Sequence, residues 1–132
     1  MIVRWVLVVA SIIIASCAAL DSRPPEEIVE SRAAMHLDLL HQGLWDDAME
    51  YTTPGFRSRT TSAQYASRYG GVWMWQSTRI GTVTCDGVEE PTSCSVQTYL
   101  TFALPPVMSD PSEHYRPRTW IKVDGEWYIY EP

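Results

Sequence analysis

The chain has 132 residues, 45 % of them apolar and 20 % charged, with six Trp and seven Tyr. That is ample apolar side-chain material for one packed core, and it excludes a disordered chain. The formal charge is −6 at pH 7 and the ten basic residues are scattered singly. With no basic stripe to meet a phosphate backbone, nucleic acid is not an expected partner.

Arg4 is the only charge among the first twenty residues, and the apolar run 5–14 that follows is about half the ~20 residues needed to span hydrocarbon. A short positive region, an apolar run of this length and small residues after it read as a secretory leader. The run ends in Ile14-Ala15-Ser16-Cys17, which resembles the lipobox of bacterial lipoproteins. The resemblance implies a diacylglyceryl group on the Cys17 thiol, cleavage before it, and acylation of the new amino terminus. Two or more acyl chains anchor stably where one binds only marginally. Ala18 rather than Asp follows the cysteine. In the family's sorting pattern this implies the periplasmic face of the outer membrane if the cell has two membranes. The expected organisation is a cleaved leader over 1–16, a lipidated tether over 17–25 and a single domain over 26–132, held at the bacterial cell envelope.

Pro24-Pro25-Glu26-Glu27 opens the first helix, with proline in the first turn and carboxylates near the positive end of the dipole. Ile28, Val29, Ala33, His36, Leu37, Leu39 and Leu40 fall on one arc at helical spacing, and Gly43 stops the helix. A second short helix is predicted over 44–51, broken by Thr52-Thr53-Pro54-Gly55. Thr61-Ser62-Ala63-Gln64 fits a capping box and starts a third, ending at Gly70-Gly71.

Beyond Gly71 the pattern turns to β-rich runs, with strands predicted over 72–76, 78–85, 94–103, 118–123 and 126–130. Trp73 and Trp75 would share a face of the first. Cys85 and Cys94 bracket a turn-rich segment. If they lie opposite one another, Val83 faces Val96 and both cysteines share a face with Leu100 and Phe102. In an exported, oxidised domain that register favours a disulfide worth roughly 2 to 3 kcal/mol; two free thiols are the alternative. Asp124-Gly125 is a type I′ turn signal pairing Val123 with Glu126, Ile121 with Tyr128 and Trp120 with Ile129. One face of that hairpin then carries Arg118, Trp120, Lys122, Trp127, Ile129 and Glu131. The segment 104–117, with four prolines, reads as a long connection, a flap or a binding loop. Helices followed by an antiparallel sheet make an α+β domain.

Gly43-Leu44-Trp45-Asp46-Asp47-Ala48-Met49-Glu50-Tyr51 with Pro54, and the 120–129 hairpin, resemble the helix junction and last hairpin of nuclear-transport-factor-2-like domains. The resemblance implies a cone, N-terminal helices packed on a strongly curved antiparallel sheet, with a pocket at one end. Its ligand would be a small apolar molecule, or its partner an envelope protein. The pocket candidates are His36, Trp73, Trp75, Tyr99, Trp120 and Tyr128, although core packing would account equally for the tryptophans. His36 is either a core histidine bonded to a carbonyl or a Tyr hydroxyl, or a general base. The second reading leads to the alternative of an isomerase or dehydratase similar to ketosteroid isomerases. Such relatives use a pocket carboxylate with a tyrosine, and the predicted strand cores here carry no acid. His41 is five residues from His36, off its face, so the two do not form a metal pair. No nucleophile, phosphate-loop or zinc motif occurs, and no metal or cofactor is expected. Arg57 and Arg59 would either meet an anion or be paired and solvated. The Trp- and Tyr-rich sheet face is a candidate homodimer surface.

Overall fold

A computed structural model describes residues 21–87, 89–104 and 106–132. The leader expected over 1–16 and Cys17 lie outside them. The described elements are α1 (Pro25–His41), α2 (Trp45–Met49), α3 (Pro54–Arg57), α4 (Ser62–Arg68), a 3-10 turn (Val72–Met74), β1 (Trp75–Cys85), β2 (Ser93–Leu104), β3 (Met108–Val123) and β4 (Glu126–Ile129). The strands form one antiparallel sheet in the order β1-β2-β3-β4, with the helices packed on it, so the domain is α+β.

Helix α1 starts where the sequence predicts. Pro25 occupies its first turn and Glu26 and Glu27 follow. Val29, Ala33, His36, Leu37 and Leu40 are its buried residues, and Gly43, at φ 73, ends it in the left-handed conformation. The capping box of α4 is complete: Gln64 N–H donates to Thr61 Oγ1 at 3.2 Å and Thr61 N–H to Gln64 Oε1 at 2.8 Å. One element is added to the pattern. After the 52–55 break, Thr53 Oγ1 accepts from Phe56 N–H at 3.2 Å and closes the single turn α3, which buries Phe56.

Two strand predictions are corrected. The predicted 72–76 strand is instead the 3-10 turn, and β1 then runs unbroken from Trp75. Register shifts at Trp75/Ser77 and Ile80/Val83 let one bent strand do the work of two. Gly81 sits in the second shift under Tyr99, where a Cβ would come within 2.8 Å of the ring. The 104–117 connection is not a flap. From Met108 it is the first half of β3, paired with β2 from Leu104↔Met108 through Ser93↔Ile121. Four prolines argue against a strand only if both neighbours demand N–H donors. Short β4 pairs only with Trp120 to Val123, so the earlier part of β3 lies at an edge where proline is tolerated.

The turn chemistry holds. Asp124 (φ 49) and Gly125 (φ 84) form the hairpin turn with the predicted pairs. Cys85 pairs with Cys94 and Val83 with Val96, and the two cysteines form a disulfide. The far edge of β4 is tied by Ile129 N–H donating to the Tyr51 carbonyl at 2.8 Å.

The core has two lobes. One gathers Leu37, Leu40, Met49, Phe56, Tyr65 and Leu100 around the helices, and the other Val29, Ala33, Val96, Trp120, Trp127 and Ile129 against the hairpin. His36 lies between them, its ring centroid 6.5 Å from Tyr65 and 6.1 Å from Trp120.

Candidate functional site

A cavity of about 290 Å³ opens between α1, the turn after α4 and the inward face of β2 and β3. Strand alternation sets its lining. Thr98 and Leu100 face inward from β2, opposite Arg116 and His114 of β3. Arg116 and Arg118 share their face with Trp120 for the same reason. Leu37, Leu40, Val72, Trp75, Leu100 and Phe102 supply apolar wall, while His36, Tyr69, Arg68, Thr98, Arg116 and Arg118 supply the polar part.

His36 is 2 % exposed and its Nε2 lies 2.6 Å from the Tyr65 hydroxyl. Burial, with the Arg118 charge adding to it, lowers its pKa to about 3, so the imidazole is neutral at pH 7. Burial likewise raises the Tyr65 phenol well above its ordinary range, with Tyr69 and Glu131 pushing the same way.

Beside this pair is a charged cluster. Glu131 is 8 % exposed and accepts from Arg118 Nη2 at 2.6 Å, with Arg68 Nη1 at 3.9 Å. The Tyr69 hydroxyl donates to the same carboxylate and accepts from Arg118 Nη2 at 2.9 Å. Burial pushes Tyr69 up to about 12, with Arg118 opposing. A buried carboxylate needs such partners, since a lone one would be strongly destabilising.

Of the candidates from sequence, His36, Trp75 and Trp120 line the cavity. The other three are placed elsewhere. Trp73 is 71 % exposed on the 3-10 turn, because that turn does not alternate as a strand does. Tyr99 points to the other sheet face, with the Arg79 guanidinium 3.8 Å above its ring and Tyr115 5.5 Å away. Tyr128 lies between Arg32 and Arg57, at 5.8 and 5.6 Å. Arg57 is not an anion cradle: it donates to the carbonyls of Glu50, at 2.9 Å, and Thr52. Arg59 Nε donates to the Gly55 carbonyl at 3.0 Å. His41 Nε2 lies 2.9 Å from the Trp75 carbonyl oxygen. Among the described residues no group of three His, Cys, Asp or Glu side chains is placed to hold a metal ion.

Sequence reasoning passed over Arg68, Tyr69 and Thr98 as lining residues, and it placed Arg116 in the supposed connection. Arg118 and Glu131 carried a signal, since hairpin parity set both beside Trp120.

No protein-family model matches the chain, and no curated protein matches it. Among solved structures, a SEC-C motif containing protein from Psychrobacter arcticus is 12 % identical with a TM-score of 0.62, over 85 % of this chain and 63 % of that one. This chain therefore spans less than two thirds of that protein's length. A SEC-C motif containing protein from Rhodopseudomonas palustris is 18 % identical with a TM-score of 0.54, over 81 % and 75 %. An NTF2-like transpeptidase from Campylobacter jejuni is 12 % identical over 81 % and 97 %, at a TM-score of 0.47. At these identities the likeness to the two SEC-C motif proteins is one of fold alone.

Proposed function

We propose that this chain is a non-enzymatic, lipid-anchored protein of the bacterial cell envelope, a nuclear-transport-factor-2-like cone whose pocket binds a small, largely apolar ligand. The cavity carries the reading: about 290 Å³ of space with apolar walls and a few convergent polar groups is the form of a small-molecule site. The address rests on Ile14-Ala15-Ser16-Cys17 and is supported by the Cys85–Cys94 disulfide, a bond of oxidising compartments.

The isomerase alternative asks His36 to take a proton. Its Nε2 is engaged by Tyr65, and a conjugate acid with pKa about 3 makes a poor base near neutrality. An envelope protein as partner would need an outer surface instead, such as the sheet face bearing Tyr99 and Tyr115.

Two measurements test the reading. Cells fed a clickable palmitate analogue should label the wild type and not Cys17→Ala; an unlabelled wild type overturns the anchor. Native mass spectrometry of the chain extracted from its own membrane should show a bound small molecule, and a consistently empty chain counts against the pocket.

A further inference from the structure

The cavity is not evenly lined. Its positive groups enter from β3 and from the end of α4, and their charge is only partly neutralised. Glu131 is shared by Arg118 and Arg68. Both hydrogen bonds of Arg118 leave from Nη2, so its Nε and Nη1 have no partner among the described residues. Arg116 is exposed at the rim, and among the described residues no carboxylate lies within ion-pair distance of it.

Thr98 is a second, independent observation. It is 3 % exposed and lies opposite Arg116 across the β2–β3 ladder. Its hydroxyl bonds no described side chain or backbone group, yet no fully enclosed side-chain N or O among the described residues lacks a partner. The hydroxyl therefore opens onto the cavity, which Thr98 lines. A polar atom so deep, with no partner of its own, is satisfied by what fills the space.

Resting on the pocket reading above, we infer that the ligand is a singly charged organic acid. Its carboxylate is held by Arg116, the free nitrogens of Arg118 and the Thr98 hydroxyl, and its apolar part lies against Leu37, Leu100 and Trp75. Guanidinium donors select an oxyanion, and in a partly desolvated cleft such charge-assisted bonds are strong. Arg68 and Arg118 share the single carboxylate of Glu131 and Arg116 has none, so positive charge is left to meet an oxyanion, while a chain of net charge −6 opposes a multiply charged ligand. The volume, about 290 Å³, equals that of about ten water molecules at liquid density. This is the size of a medium-chain or aromatic acid, not of a phospholipid.

The test is calorimetric titration of the full chain with octanoate, which is of that size, and with octanamide, which keeps the shape and lacks the charge. Octanoate should bind at least tenfold more tightly. Arg116→Gln, at an exposed position outside the core, should reduce the preference for octanoate over octanamide at least threefold. Thr98→Val, close to isosteric, should weaken octanoate threefold or more. Equal affinity for the two probes, or a preference left undiminished by Arg116→Gln, would overturn the acid-binding inference and leave the pocket standing. Binding of neither probe by chain with an unchanged melting temperature would overturn the pocket reading as well.

Discussion

His36 joins the two lobes of the core, and its protonation state is coupled to folding. The groups facing it are Tyr51, Tyr65, Trp120 and the Arg118 charge, and burial with the Arg118 charge disfavours an imidazolium. In the folded chain its pKa is lowered to about 3, against 6.5 when unperturbed. Below pH 6.5 the unfolded chain therefore takes up a proton that the native chain does not. Stability conferred by this residue is complete above that pH and lost as pH falls from 6.5 towards 3, by about 2 kcal/mol at pH 5. Urea unfolding at pH 7 and pH 5 should show that loss in the wild type, and a smaller one in His36→Gln. Tyr65→Phe would leave the imidazole Nε2 without its partner, at a cost of about 1 to 3 kcal/mol at pH 7 by the same measurement.

Elements whose local chemistry is self-sufficient were legible in the sequence. Pro25 and Gly43 bound α1, Thr61 and Gln64 start α4, and Asp124-Gly125 fixes a hairpin register that places Trp120 and Ile129 on the inward face. Each of those signals lies within a few residues of what it specifies. The strand content of 108–117 was not legible, because whether Pro111 and Pro117 are tolerated depends on how far β4 extends, which is a property of the assembled sheet. The same segment carries Arg116, so the positive side of the cavity was missed with it. At this scale the Cys85–Cys94 bond is the clearest handle. It closes a short loop across β1 and β2, and reduction should lower stability by roughly 2 to 3 kcal/mol, seen as a drop in melting temperature with reductant. An unchanged midpoint, with both thiols alkylated, would contradict it.

For the molecule as a whole, burial of the hairpin's inward face changes the assembly question. Trp120 and Trp127 are 1 % and 3 % exposed within the chain itself, so they are not available to a second copy. A homodimer through the sheet would use its outer face, where Tyr115 and Tyr130 are about half exposed, at 48 % and 50 %. The Arg79–Glu113 ion pair and Thr and Ser side chains make that face well solvated. Light scattering should accordingly report the monomer mass; a dimer mass abolished by Tyr115→Ser would show the outer face to be the interface. The early half of β3 has a bearing beyond the pocket. With β4 so short, its outer side is a stretch of sheet that another chain could extend, and Pro111 and Pro117 each remove a donor such an extension would need. These prolines that disguise the strand in the sequence also guard it against aggregation, and a double replacement by valine would turn a discrete domain into a template for fibre growth.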